Sequence, residues 1–372
     1  MRIGIDARSL TPKKGGIGHY LSEVLDGRSD ILADETLQLF SHRSIDYPKG
    51  PGLEHHVYPA HLGLPWYLFW SHLSIGRQAP DVFWGTQNLL PLWLPAEIPA
   101  VLTIPDCVHR QSLKYSPSSF YHFIHRFYMP KSIRRSSRIL TFSHFVADEI
   151  SRYFGVASKF IEIIPLGVNA AFFRNRIDPH QTNLICERWN LTPPYILAVG
   201  TLEPRKNLQT LLRAFSLLPA QLQSQHQLVF VGKSGWRQKQ FDKDLRSYRA
   251  KSRLRILGYV PQQDLPYLYA GAKLLVFPSY YEGFGLPLLE AMAAGCPVLS
   301  SKSSAIKEVV GSAGILIEAD ASAEDWSRSL LKVLECPTLQ ESLRLAGLAH
   351  ADKFSWNNCR TQTVEILRCV AR

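Results

Sequence analysis

The 372-residue chain lacks any run of about 18 uncharged apolar residues, so no segment reads as a bilayer-crossing helix. Its opening, MRIGIDARSL, carries Arg2, Asp6 and Arg8 with no uninterrupted apolar stretch, and the expectation is neither a signal peptide nor an anchor. No low-complexity tract is present, which excludes disordered and fibrous classes. The six cysteines (Cys107, Cys186, Cys296, Cys336, Cys359, Cys369) are scattered without a CxxC pair. They predict reduced cytosolic thiols, not a disulfide frame or a zinc site. GxGxxG is missing too, so a nicotinamide fingerprint is not supported. The one DxD, Asp242-Lys243-Asp244, lies in a basic helical stretch where positions i and i+2 diverge. It reads as solvated, and no metal is expected.

What is present is globular and basic. Hydrophobic residues make up 46% of the chain and charged ones 20%, enough for two domains that each bury a core. The net charge is +11, which points to nucleic acid, an anionic membrane surface or a phosphate-bearing substrate without choosing among them.

Short apolar segments alternate with longer helical patterns, the habit of parallel α/β sheets. Arg2–Ala7, Asp81–Trp84, Pro99–Ile104 and Arg138–Phe142 read as strands, with a glycine loop at residues 13–18 and a helix from about His19. The pattern restarts at Pro194–Gly200 and continues through Gln227–Gly232, Leu254–Tyr259 and Ala272–Phe277. Residues 163–193 mix Pro, Asn and charge and fit a hinge. The expected architecture is α/β: two doubly wound domains facing each other across a cleft.

Three stretches carry chemistry. The segment from Pro278 to Val298 follows a strand and opens a helix at about Leu286. Gly283 and Gly285 leave backbone N–H groups accessible to a phosphate or to sugar hydroxyls. Glu282 and Glu290, with no basic neighbour in the segment, suit recognition of a polyhydroxyl ligand; a helix-start carboxylate and a solvated helix residue are the plain alternative. In Gly200–Asn207, adjacent Arg205 and Lys206 beside a strand's C-terminal end make a diphosphate clamp, a bidentate fork with a mobile point charge. A solvated pair of charges fits the same two residues. Gly15 and Gly16, after the first strand, allow close backbone approach to a phosphate or sugar, or form a plain tight turn.

Together with IPDCVH, TFSHF, IPLGVN and LGYV, these motifs resemble, in order and over nearly the whole chain, the retaining glycosyltransferases of family 4. The resemblance implies the GT-B fold, with an N-terminal acceptor domain over 1–175, a donor domain over 190–350 and a last helix over 354–372 that crosses back onto the N-terminal domain. It places Glu282 by the donor sugar, Glu290 on the ribose hydroxyls, and Arg205 with Lys206 on the leaving diphosphate. Backbone groups of Phe284, Gly285 and Leu286 would serve sugar and phosphate, Tyr259 and Val260 would flank the base, and Thr201, Gly15 and Gly16 complete the donor set. Where many members carry a His-Asp pair, this chain has Pro105-Asp106. His109, with Asp106 behind it, is the candidate for the displaced histidine; a surface histidine is the alternative.

The resemblance further implies a cytoplasmic, metal-independent hexosyltransferase without a resident cofactor. It would be peripheral at the inner membrane face and build cell-surface polysaccharide such as O-antigen. GDP-mannose or a GDP-6-deoxyhexose such as GDP-rhamnose is the expected donor, and a polyprenyl-diphosphate-linked glycan the acceptor. A UDP-sugar donor, a sugar-nucleotide epimerase and a non-catalytic sugar-nucleotide-binding subunit are the alternatives. Trp66–Trp70 and Phe120–Arg138, where aromatics interleave with Arg126, Lys131, Arg134, Arg135 and Arg138 and no acid, suit an interfacial helix on anionic lipid, or a core helix with a solvated face. The positive charge divides accordingly: 19 basic against 15 acidic side chains up to residue 180, and 23 against 16 beyond it. Nine of the latter lie in residues 233–255, a segment left unassigned. Nucleic acid has charge but no motif behind it.

Overall fold

A computed structural model of the chain describes residues 1–27, 32, 34–58, 63–111, 118–236, 245 and 253–372. The chain divides into two compact units, one formed by Met1–Gly167 with Trp356–Arg372, the other by Val168–Ser355.

The first unit holds a seven-stranded parallel sheet. Its strands are β1 (Arg2–Asp6), β2 (Thr36–Ser41), β3 (Leu53–Val57), β4 (Val82–Gly85), β5 (Ala100–Thr103), β6 (Arg138–Thr141) and β7 (Ile161–Ile163), in the order β3-β2-β1-β4-β5-β6-β7. The order reverses between β1 and β4, as in a doubly wound sheet. Both faces of such a sheet are covered, so β4 and β5 are buried at every position and read as continuous apolar runs. β3, which the sequence reading passes over, is an edge strand whose Glu54 and His56 face each other at 3.1 Å. Polar edges of this kind resist pairing with foreign strands.

The helix Trp356–Ala371 belongs to this unit. Trp356, Cys359, Thr363, Val364 and Leu367 recur at helical spacing and are buried. Arg360 pairs with Glu23 at 3.1 Å and Arg368 with Glu35 at 2.7 Å.

The second unit holds a six-stranded parallel sheet of β8 (Tyr195–Val199), β9 (Gln227–Val231), β10 (Leu254–Gly258), β11 (Leu274–Phe277), β12 (Val298–Ser301) and β13 (Ile315–Ile317), ordered β10-β9-β8-β11-β12-β13. Here the reversal falls between β8 and β11, which run side by side with Leu274 opposite Ile196 and Leu275 opposite Leu197. Whatever follows these two strands is therefore brought together at one crevice.

The stretch read as a hinge is structured. Asp178 accepts the His180 N–H at 2.9 Å and starts the helix Pro179–Arg188, whose Thr182 and Cys186 are buried in the second unit. Proline at the first helical turn, which made the segment look like a linker, is there a helix-compatible residue. The unit boundary accordingly falls after Gly167, earlier than the 175 read from the sequence. No helix among the described residues is long and apolar enough to cross a membrane.

Gly232 follows β9 with φ +152°, and a Cβ there would lie 1.9 Å from the Gly200 carbonyl oxygen. Only glycine lets the turns after β8 and β9 approach this closely. Gly232→Ala should lower the unfolding free energy by about 1–3 kcal/mol in urea denaturation, as overpacking does. An unchanged midpoint would show that the two turns are not pinned together.

Candidate functional site

The main site lies in the second unit, on the two loops that leave β8 and β11 at the reversal point. After β8 the chain passes Gly200 and Thr201 and makes a short 3₁₀ turn, Pro204–Lys206, carrying both cations. After β11 it runs through Ser279 to Glu282. The Tyr280 N–H donates to the Arg205 carbonyl at 2.9 Å, tying loop to loop.

Across this seam Arg205 Nη1 donates to Glu282 Oε2 at 2.9 Å, and Lys206 Nζ donates to Glu282 Oε1 at 2.6 Å. Arg205 Nη1 also reaches the Tyr281 carbonyl at 2.7 Å, while Nε and Nη2 both donate to Glu203 Oε1 at 2.9 and 2.6 Å. The Lys206 ammonium sits 4.8 Å from the Phe277 ring centroid. Glu203, Lys206 and Glu282 are buried. Burial alone would raise the Glu282 carboxyl, but Arg205 and Lys206 outweigh it and hold the group below the ordinary glutamate value. The alternative of solvated charges is thus overturned. Glu282 has no basic neighbour in its own segment, yet two stand against it from 76 and 77 residues away.

Glu290 lies inside the helix Leu286–Ala293 and accepts the Tyr269 hydroxyl at 2.9 Å, so it is not a freely solvated helix residue either. Burial, with Glu290 adding to it, raises the Tyr269 phenol well above its ordinary value, which keeps it a donor. Gly285 precedes this helix at φ +121° and offers no side chain to cap it. The first N–H groups, from Leu286 on, therefore meet the loop of Phe284 without a competing side-chain acceptor from Gly285. The ring of Phe284 is buried and lies 6.1 Å from that of Phe354. Gly258 ends β10, and Tyr259 and Val260 follow it; the Gly258 carbonyl accepts the Gly232 N–H at 2.8 Å, and Lys233 lies 5.1 Å from the Tyr259 ring centroid.

The remaining candidates are in the first unit. Gly15 and Gly16 are exposed, and the helix begins at Gly16, not at His19. The pair therefore opens a helix whose N-cap, Gly15, has no capping side chain, in place of a plain turn. The glycine that packing demands is Gly18, where a Cβ would stand 2.6 Å from the Ser9 carbonyl oxygen. His109 is buried, not a surface residue. It stacks on His125 at 4.0 Å and meets Tyr121 edge-on at 5.2 Å. Burial, then the neighbouring His109, Arg8 and His122, push the His125 imidazole down to about 2. Asp106 accepts the Val108 N–H at 3.2 Å and starts the short helix that carries His109.

The sequence reading missed several groups. Glu203 gave no signal as a partner of Arg205 beyond its place two residues earlier. Asp6 and Arg8, quoted only as charges near the start, form a buried bidentate pair with both contacts at 2.8 Å. The Arg8 guanidinium lies 3.5 Å from the Tyr67 ring centroid.

The aromatic and basic stretches of the first unit separate into two kinds of residue. Trp66, Tyr67 and Leu68 are core, and only Trp70 of that run is well exposed. On the helix Ser119–Arg135, Phe120, Phe123 and Phe127 are exposed beside Arg126, Lys131 and Arg134. Arg135 is spent on the carbonyls of Pro95 and Ile98, and Arg138 on Glu162. Asp242-Lys243-Asp244 and most of the basic segment 233–255 lie outside the described residues.

The family model "Glycosyl transferases group 1" matches residues 185–348, and "Glycosyltransferase Family 4" matches residues 18–172. The chain is 38% identical over 266 residues to the Escherichia coli O-antigen chain mannosyltransferase B, a match covering 71% of this chain and 67% of that protein. It is 33% identical over 311 residues to the E. coli serotype-specific mannosyltransferase WbdA, covering 79% of this chain and 37% of that longer protein. Among solved structures, WaaG, a glycosyltransferase involved in lipopolysaccharide biosynthesis, superposes with a TM-score of 0.81 at 18% identity, covering 98% of this chain and 99% of that one. Anabaena HepE in complex with UDP and glucose gives 0.76 at 18% identity, over 99% and 100%.

A carboxylate held below its ordinary 4.5 stabilises the fold above that value and loses its contribution as pH falls through the lowered one. Glu282→Gln should cost about 3 kcal/mol of unfolding free energy at pH 7, because it breaks a buried pair. The gap to wild type should close in acid, below about pH 4.5. A gap independent of pH would remove Glu282 from the ion cluster.

Proposed function

Because the chain belongs to the family 4 glycosyltransferases, on the bacterial O-antigen mannosyltransferase branch and with the GT-B fold, we propose that it moves mannose from GDP-mannose to a polyprenyl-diphosphate-linked glycan with retention at the anomeric carbon. A GDP-6-deoxyhexose such as GDP-rhamnose is the second donor to test. The observation that carries this reading is the convergence of Arg205, Lys206 and Glu282 on the loops after β8 and β11, in a chain whose relatives are named as mannosyltransferases.

In the reaction the bond from the anomeric carbon to the diphosphate oxygen breaks as a bond to the acceptor hydroxyl forms. The acceptor's proton passes to the departing phosphate oxygen on the same face, so the protein need not supply a strong base. Arg205 and Lys206 stabilise the charge that grows on that oxygen, aided by backbone N–H groups at the start of the helix Leu286–Ala293. Glu282, ionised at neutral pH, accepts sugar hydroxyls, and Glu290, held by Tyr269, accepts those of the ribose. We assign these steps no metal ion.

Transfer is tested with radiolabelled GDP-mannose and a lipid-linked acceptor in the presence of a chelator, where activity should persist. Arg205→Ala should reduce turnover about 100-fold or more while the acceptor KM stays within about threefold. Near-native turnover in that variant, or transfer from UDP-sugars alone, would overturn the assignment.

For access to a lipid-linked acceptor, we assign the first unit a membrane-facing surface. Trp70, Leu73, Trp93, Phe120, Phe123 and Phe127 are each 49–62% exposed. Phe69 joins Trp70, Trp93 and Tyr128 through ring contacts of 5.7–6.0 Å, and Phe123 lies 4.3 Å from Phe127. Aromatics flanked by exposed Arg126, Lys131 and Arg134 suit an anionic interface. Replacing Phe123 and Phe127 together by serine should weaken co-sedimentation with phosphatidylglycerol vesicles at least about tenfold at low salt. Wild-type protein that stays in the supernatant would remove the membrane claim.

A further inference from the structure

Four charges meet at the β8–β11 seam, three of them buried and Arg205 partly so, and two of the four are negative. Glu282 is expected there from the motif; Glu203 is not. Its side chain is 4% exposed, and one oxygen, Oε1, takes both the Nε–H and an Nη2–H of Arg205. The pairing is local, two residues apart, and its backbone is fixed. The Leu202 N–H donates to the Lys233 carbonyl at 2.9 Å, and the Gly235 N–H donates to the Leu202 carbonyl at 3.0 Å. A Cβ on Gly235 would lie 3.1 Å from that of Glu203, so the strap of residues 233–235 is packed directly on it. Glu282, by contrast, reaches Arg205 from the other loop and meets its Nη1 edge.

We propose that Glu203 is a positioning residue that tunes the site's hold on diphosphate. It occupies the Nε/Nη2 edge of Arg205, turns the guanidinium so that Nη1 faces the loop of Glu282, and offsets one of the two positive charges. The proposal rests on the reading that Arg205 and Lys206 receive the diphosphate of a sugar nucleotide. The physical need follows from the products. When the sugar leaves, the nucleoside diphosphate ends in a free terminal phosphate and carries more negative charge than it did as a sugar ester. With Glu282 as their one counter-charge the two cations would leave a net positive site that binds this product more tightly than the donor, and binding energy spent on product slows turnover. A fixed carboxylate against Arg205 lowers the affinity for the more charged species most. It also keeps the guanidinium in one orientation at little entropic cost.

The test is Glu203→Gln in the full chain, which keeps side-chain shape and an acceptor oxygen but drops the charge. Calorimetric Kd values for GDP and GMP are measured alongside steady-state kinetics. The GDP Kd should fall about tenfold while the GMP Kd changes less than about twofold, since removing one nearby negative charge favours the second phosphate. kcat and KM should fall together, the mark of slower product release. Glu203→Asp, which retains the charge, should keep the wild-type ratio of GDP to GMP affinity. Each Kd reports only binding-competent molecules, so the ratio is readable even if a variant is destabilised. Equal shifts for GDP and GMP, or weaker GDP binding, would make Glu203 merely structural and overturn the proposal. Failure of the underlying reading looks different: wild-type protein would bind neither GDP nor UDP, or Arg205→Ala would leave diphosphate affinity unchanged.

Discussion

Arg205 is the group on which the second unit's site depends. Its guanidinium side chain is 17% exposed, and a charge so removed from water persists only where its N–H groups find partners. Those partners come from both loops of the crevice: Glu203 from its own, Glu282 and the Tyr281 carbonyl from the one after β11. The arginine is therefore a structural bolt between the two loops, and on the proposed reading it is also the group that receives a phosphate. Glu203 and Glu282 stand against the two cations, so neither Arg205 nor Lys206 is buried without a counter-charge.

The sheet makes this meeting unavoidable. In a doubly wound fold the strands at the order reversal send their following loops to opposite sides, leaving a crevice at their C-terminal ends. β8 and β11 are those strands in the second unit, and they are followed by the two most informative motifs. Glycine then decides how close the pieces come. Gly232 lets the turn after β9 touch Gly200, and Gly285 opens the helix that carries Glu290 in a conformation few side chains tolerate. The first unit repeats the topology with different furniture. A buried Asp6–Arg8 pair stands at the end of β1, and a buried histidine stack lies beyond β5.

Much of the architecture was legible because parallel strands buried on both faces are short apolar runs bounded by polar turns. Every strand read that way is found, within a residue or two. Most strands passed over carry a weak signal: β3 is a polar edge, β7 and β13 have three residues each, and β12 was absorbed into a motif read for its chemistry. β2 is the exception, passed over although five of its six residues are buried. The stretch read as a hinge does contain the boundary between the units, after Gly167, but its remainder is structured: proline at a helix start and asparagine in a 3₁₀ cap look like linker residues when their hydrogen bonds are unseen. Around the candidate site the residue types were legible, but the pairings were not. Trp66, Tyr67 and Trp70 read alike in sequence, yet only Trp70 reaches the surface.

Local order along the chain thus determined the family, the two α/β units and the identities of Arg205, Lys206, Glu282 and Glu290. These depend on spacing within single strand-loop-helix units, where neighbours in sequence are neighbours in space. The tertiary structure alone decided that Glu282 is salt-bridged, that Glu203 shares Arg205, that Tyr269 holds Glu290, and that His109 is buried against His125. Apart from the local Glu203–Arg205 pair, each of these is a contact between segments whose proximity is set by strand order and close packing, and ionic partners dozens of residues apart leave no periodic trace in a sequence.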